Sequence, residues 1–377
     1  MNSFVTIEPL CYPEFDRVTI EIPCSTMNSS SSAIIADING DNQPDLILYC
    51  YPDSALNILL GNSFNNNIFQ EFISYPFDSD MTVSNILVVD MNNDSIADII
   101  LTDNIGGQSY FSVLFGNGNG TFQIENIQST VIIDDPAYIV VSDLNMDQKL
   151  DVIIATVYGN IYVFWGNNNG IFLSSLTLNI GYKCYLNGLI VNDFNSDNHL
   201  DIAVLTLNDL CIHIFFGSDN GSSWLHKWVF TTIDQSGFIL TSGDFDENNE
   251  SDIIVFTVSE SISSILYRYD NGSFHTDVQT FMEYYWYFGA IAVGDLNDDR
   301  HLDIATTMVN SEDLFYYLGN GNGIFAVQNL ILSQYINERI WNDIMDFNND
   351  NCQDIINMDL DGDGGIDIFL STCQCYT

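Results

Sequence analysis

The residues with evident chemistry are aspartates held at a fixed spacing. The pattern Asp-x-(Asn/Asp)-x-(Asp/Asn)-x-x-x-Asp starts at Asp37, Asp90, Asp143, Asp193, Asp244, Asp295 and Asp346, at intervals of 53, 53, 50, 51, 51 and 51 residues. With its positions numbered 1, 3, 5, 7 and 9, the first loop reads Asp37, Asn39, Asp41, Gln43, Asp45 and the second Asp90, Asn92, Asp94, Ile96, Asp98. The third is Asp143, Asn145, Asp147, Lys149, Asp151, and the fourth Asp193, Asn195, Asp197, His199, Asp201. The fifth exchanges its middle pair: Asp244, Asp246, Asn248, Glu250, Asp252. The sixth is Asp295, Asn297, Asp299, His301, Asp303, and the seventh Asp346, Asn348, Asp350, Cys352, Asp354.

Each loop thus offers three carboxylates and one amide. Position 7 is too varied for its side chains to share a role, so its backbone carbonyl is the expected donor. Alternating oxygens from a short loop suit Ca²⁺, which takes 6–8 hard oxygen ligands. Mg²⁺, with its stricter octahedron, is second choice, and no Cys/His cluster has zinc spacing. The loops are not EF-hands: position 12 is Leu48 in the first and Ile154 in the third, where a bidentate Glu would belong. About one Ca²⁺ per repeat is the expectation. At a Kd of ~0.1–1 mM and ~1–2 mM free Ca²⁺, each site would add roughly 0.4–2 kcal/mol.

A further copy, Asp359-x-Asp361-x-Asp363-x-Gly365-x-Asp367, follows the seventh loop too closely for the repeat. It reads equally as an extra Ca²⁺ site or as a Gly-Asp hairpin.

The elements that must present these loops also repeat. Short apolar alternation enters each loop, as in NILVVD at 85–90, and a second apolar run leaves it, as in DVIIAT at 151–156. Between the loops lies a second motif of an apolar run, Gly, a polar turn and an aromatic: LGNSFNNNIF at 60–69, FGNGNGTF at 115–122, WGNNNGIF at 165–172, FGSDNGSSW at 216–224 and LGNGNGIF at 318–325. Asn and Gly accept the positive φ of such turns. Only a worn version, RYDNGSF at 268–274, stands between the fifth and sixth loops.

Four short strands per ~50 residues is the size of a propeller blade. The predicted fold is all-β: a seven-bladed β-propeller of four-stranded antiparallel blades over residues 31–377. Residues 1–30 are expected to supply a closing outer strand, RVTIEI at 17–22, that completes the last blade. A solenoid is the alternative, but neither end reads as a cap.

Composition narrows the partners. The 377 residues carry 7 Lys or Arg against 51 Asp or Glu, a net charge of −44, which disfavours nucleic acid and anionic membranes. No apolar run is long enough for a membrane span. The N-terminus lacks a basic segment followed by an apolar one, so either no signal peptide is present or the chain is part of something longer. Of eight cysteines, Cys11, Cys24, Cys373 and Cys375 cluster at the ends as disulfide candidates, while Cys50, Cys184 and Cys211 read equally as buried thiols. Asn-x-Ser/Thr acceptors occur at Asn28, Asn119, Asn220 and Asn271, with Asn93 and Asn249 inside acidic loops. The five histidines form no catalytic constellation, and Gly-x-Ser-x-Gly, HExxH and P-loop motifs are absent.

The two alternating motifs together resemble the FG-GAP/VCBS-type repeat of integrin α-subunit propellers, over residues 31 to about 371. The resemblance implies Ca²⁺ in the loops of one face, with Asp37, Asn39, Asp41, Asp45 and the Gln43 carbonyl matching the family's ligand positions. It also implies a ligand surface on the other face. Integrin propellers carry acidic loops in three or four blades, so loops in all seven units look closer to the broader VCBS family. The expected role is a calcium-binding, extracellular ligand-binding or adhesion module for a protein or carbohydrate, without catalysis. The alternative is a propeller belonging to a secreted carbohydrate- or lipid-active enzyme. Ligand contacts are expected in connecting loops such as Tyr284–Tyr287 or Trp224–Trp228, which could equally pack between blades.

Overall fold

The structure is a computed structural model. It describes residues 13–21, 32–51, 53–61, 69–77, 81–123, 128–132, 134–167, 169–172, 175–180, 185–206, 211–218, 221, 223–230, 238–257, 262–269, 273–280, 288–308, 313–326, 329–333, 340–359 and 365–371.

Short runs of β-branched and aromatic residues, cut by Gly, Asn and Asp, form strands of five to nine residues. After β1 (Phe15–Glu21), the first blade contains β2 (Ser32–Ala36), β3 (Asp45–Cys50), β4 (Ala55–Gly61) and β5 (Phe69–Pro76). The second contains β6 (Met81–Val89), β7 (Asp98–Ile105), β8 (Gln108–Leu114) and β9 (Gln128–Ile132). The third contains β10 (Pro136–Ser142), β11 (Asp151–Thr156), β12 (Asn160–Phe164) and β13 (Ser175–Asn179). The fourth contains β14 (Leu186–Asn192), β15 (Asp201–Thr206), β16 (Cys211–Phe216) and β17 (Leu225–Phe230). The fifth contains β18 (Phe238–Gly243), β19 (Asp252–Thr257), β20 (Ile262–Tyr269) and β21 (Ser273–Thr280). The sixth contains β22 (Phe288–Gly294), β23 (Asp303–Met308), β24 (Asp313–Tyr317) and β25 (Asn329–Ser333). The chain continues with β26 (Ile340–Met345), β27 (Asp354–Asp359) and β28 (Gly365–Ser371).

Each of the six blades is an antiparallel meander with its strands in chain order. A further four-stranded sheet has mixed origin, in the order β1-β28-β27-β26. The expected count of seven blades is corrected to six blades of consecutive strands among the described residues, while the sheet that joins both ends of the chain is closed by the N-terminal strand as expected. The joining strand starts two residues earlier than RVTIEI, at Phe15, which pairs with Ser371. Its edge is clasped by charge: Arg17 donates from Nε and Nη2 to Asp367 at 2.9 and 2.7 Å, and Thr19 Oγ1 donates to the same carboxylate at 2.7 Å.

Second strands are buried on both faces, as in β3, β11 and β15, because each sheet is packed between neighbours. The core is accordingly a series of apolar clusters between adjacent sheets, such as Ile47, Tyr49, Leu101 and Leu114 between the first and second blades. Another unites Leu46 and Leu48 of the first blade with Ile356 and Ile368 of the mixed sheet. Among the described residues no helix is long and apolar enough to cross a membrane.

Candidate functional site

The acidic loops connect the first and second strands of every sheet, so all seven share one setting. Their backbones also share one shape. Position 4 has positive φ in each: Gly40, Asn93, Met146, Ser196, Glu247, Asp298 and Asn349. So does position 6: Asn42, Ser95, Gln148, Asn198, Asn249, Arg300 and Asn351. Positive φ is uncommon outside glycine, so the loop must compensate for it. The compensation is a set of amides turned toward acid oxygens.

The position 5 amide donates to Oδ1 of the position 1 Asp at 3.0–3.3 Å in all seven loops. The position 6 amide donates to its Oδ2 at 2.7–2.9 Å. The position 7 amide donates to Oδ1 of position 5 at 2.7–3.0 Å. Amide dipoles thereby fix negative oxygen atoms close together in a tight turn, an arrangement that a bound cation would complete.

Position 9 behaves differently. Its Asp is fully buried in every loop: Asp45, Asp98, Asp151, Asp201, Asp252, Asp303 and Asp354. One oxygen accepts from the position 2 amide at 2.8–3.1 Å. The other accepts from the glycine that opens the second motif: Gly61 at 2.7 Å, and Gly116, Gly166, Gly217 and Gly319 at 2.8 Å. In the mixed sheet Ser371 takes this part at 2.6 Å. Position 9 thus ties the acidic loop to the Gly turn.

The tie explains the glycine. A Cβ at Gly116 would lie 2.2 Å from the Ala97 carbonyl oxygen, and one at Gly166 would lie 1.9 Å from that of Leu150. Burial pushes the position 9 carboxyls up, with neighbouring aspartates adding to the effect and the two amides opposing it. Asp45, Asp98, Asp151 and Asp354 rise to about 6, Asp201 to about 7 and Asp303 to about 8.

Two further components of the motif carry no charge. Position 2 is apolar throughout, and Ile38, Met91, Leu144, Phe194, Phe245, Leu296 and Phe347 are all buried in clusters between sheets. The signal lay in the sequence, one residue after each leading Asp, but attention to oxygen donors passed over it. The closing aromatics of the Gly turns, Phe122, Phe172, Trp224 and Phe325, pack against the preceding blade. Of the Trp224–Trp228 segment, Trp224 therefore serves packing and Trp228 stands exposed on the outer strand. Tyr284–Tyr287 lies outside the described residues.

Position 7 side chains have local uses. His199 Nδ1 lies 3.2 Å from Met146 Sδ at position 4 of the previous loop. His301 meets Glu247 in the same relation. Lys149 pairs with Asp147 at 3.2 Å. Cys352 is disulfide-bonded, as is Cys50, which reads equally as a buried thiol in the sequence; Cys211 is a buried thiol outside any disulfide. Cys11, Cys24, Cys184, Cys373 and Cys375 lie outside the described residues, as do Asn28, Asn220 and Asn271.

The donor set fits a hard divalent ion most closely in the fifth loop. There Asp244, Asp246 and Asp252 offer carboxylate oxygens within 4.8 Å of one another, the one such acidic triad among the described residues. In the other loops the second acid stands at position 5. In four of them its Oδ2 accepts from the position 3 amide, at 2.9–3.1 Å. The further Asp-rich copy is described only in part. Asp359 and Asp367 lie in strands, and Asp367 is engaged by Arg17 and Thr19. Asp361 and Asp363 lie outside the described residues.

Comparison with known proteins places these features. A family described as FG-GAP-like repeat matches residues 37–101, 90–154 and 143–204. No curated protein matches the chain. Among solved structures, the fold is similar to BBS1N crystallised in complex with ARL6DN, with TM-score 0.58, 12% identity and coverage of 92% of this chain and 93% of that one. It is also similar to an Agrocybe aegerita lectin that recognises non-reducing terminal N-acetylglucosamine, with TM-score 0.60, 14% identity and coverage of 82% and 81%.

Proposed function

From the premise that this chain is an FG-GAP-like repeat protein, we propose that it is an extracellular ligand-binding propeller whose loops hold Ca²⁺. The observation that carries this reading is the recurrence of one amide-to-carboxylate pattern in all seven loops, across sequences that otherwise differ. Positions 1, 3, 5 and 9 would hold the ion, with the position 7 carbonyl. A bound ion would offset the repulsion of three carboxylates and stiffen the turn. The cluster joining the first blade to the mixed sheet supports counting that sheet as the seventh blade of a closed ring.

Disulfides at Cys50 and Cys352 support an oxidising, extracellular setting, where millimolar calcium is also found. The regularly spaced aspartates are accounted for by the loops, and the protein is proposed to bind without catalysis. A protein or carbohydrate ligand is consistent with the similar folds, one crystallised with a protein partner and one recognising a sugar. Protein and glycan arrays probed in 2 mM Ca²⁺ and again in EDTA test the reading, taking ~1–2 mM as the extracellular level. Binding confined to the calcium arm supports it. Turnover of a glycan or lipid on the array would contradict it.

A further inference from the structure

One buried acid outside the loops, Asp103, occupies a register that holds threonine in the third, fourth and fifth blades, Cys50 in the first, Met308 in the sixth and Asp359 in the mixed sheet. Asp103 is the sixth residue of β7 and is 1% exposed. The same register in the third and fourth blades holds Thr156 and Thr206, whose hydroxyls donate to the next strand's backbone, at Asn160 O (3.2 Å) and Cys211 O (3.0 Å). Thr257 stands there in the fifth blade. A threonine therefore meets the needs of the fold, and the second blade has a carboxyl instead.

Its surroundings are specific. Ser112 Oγ donates to Asp103 Oδ2 at 2.9 Å, and the Ser112 and Ser129 hydroxyls are 2.9 Å apart. Since Ser112 gives its proton to Asp103, Ser129 must donate to Ser112. Oδ2 is therefore satisfied, whereas Oδ1 is buried with no hydrogen-bond partner among the described residues. Asp103 shares the face of Leu101, which packs against the first blade. From there Tyr49 faces it, but the Tyr49 hydroxyl donates to Met81 O at 2.6 Å. No described cation acts on the carboxyl. Burial raises it to about 6, with Ser112 opposing. A charged, half-satisfied carboxylate in an apolar contact is costly, and a proton on Oδ1 removes most of that cost.

We propose that Asp103 is a pH-sensitive latch between the first and second blades, closed when Oδ1 carries a proton and loosened when the proton leaves. The sign follows from linkage. A carboxyl raised in the closed state stabilises that state fully below its unfolded value near 4, and the contribution is lost as pH rises through about 6. A rise from 3.8 to about 6 corresponds to up to ~100-fold in the opening equilibrium.

Hydrogen exchange of the calcium-saturated protein at pH 5.0 and 7.5, corrected for intrinsic rates, tests this with peptides covering β3 and β7. The expected result is opening about tenfold greater at pH 7.5 in the wild type. Asp103→Asn and Asp103→Thr should abolish the difference and protect both strands at pH 7.5, while β15 stays unchanged in all three. Infrared difference spectra should show a protonated carboxyl band at pH 5.0 that is missing from Asp103→Asn. The proposal is overturned if either folded variant keeps the wild-type pH ratio, or if the wild type has neither the ratio nor the band.

Discussion

The second and fifth blades carry the same acidic loop but differ in what lies behind it. In the second, Asp98 is tied to Gly116, and the Gly turn inserts Phe122 against the first blade. In the fifth, the glycine position is Arg268, and β20 and β21 pair straight through Arg268↔Phe274 and Tyr269↔Ser273. The fifth is also the loop whose three acids draw within 4.8 Å. Position 9 is a buried clip that fastens loop to turn, and in the proposed calcium reading it would also be a donor to the ion, two roles that the blades would weight differently. Positions 1 and 5 hold the loop's own amides instead of the Gly turn, and with position 3 they would serve the ion in the proposed reading.

Substitutions separate the two roles. Asp98→Ala leaves two buried amides without an acceptor and should destabilise the chain by ~2–6 kcal/mol, with or without calcium, in denaturant unfolding. Asp94→Asn, at position 5 of the same loop, should matter only in the calcium arm. Gly116→Ala drives a Cβ into the Ala97 carbonyl and should cost ~1–3 kcal/mol, whereas Arg268→Ala, at a strand-paired position, should cost under ~0.5 kcal/mol. Equal losses at 116 and 268 would refute the distinction between the blades.

The clip also predicts a dependence on pH. The folded carboxyls of Asp45, Asp98, Asp151, Asp201, Asp303 and Asp354 are raised, so the native state binds more protons than the unfolded chain between about pH 4 and 8. Metal-free protein should therefore melt at progressively lower temperature as pH rises across that window. Calcium should flatten or reverse the slope, because it favours the ionised form. Melting curves at pH 4.5, 6 and 7.5, with EDTA and with calcium, check the sign.

A modest effect belongs to the mixed sheet. Arg17→Ala removes a partly exposed bidentate pair and should cost about 1 kcal/mol, with a double-mutant cycle against Asp367→Asn showing the coupling.

Much of this was legible in the sequence. Seven loops at near-constant spacing, and a strand near residue 17 that serves the last sheet, followed from repetition alone. The role of position 9 did not, because it depends on which amide the fold brings to Asp45 or Asp98 from fifteen or more residues away. The Asp359–Asp367 copy stayed open between an ion site and a hairpin for the same reason: spacing cannot show that Asp367 has Arg17 as its partner. Position 2 was legible but overlooked, since Ile38 and Phe347 look like ordinary strand-end apolar residues until their packing between sheets is known.

Calcium stoichiometry measured alongside melting bears most directly on the loops. Protein stripped with EDTA, dialysed against millimolar Ca²⁺ and assayed by atomic emission should take up about seven ions, and its melting temperature should rise by roughly 4–15 °C. Uptake of no ions with an unchanged melting temperature would contradict the account, and would leave the seven loops as turns held by their own amides.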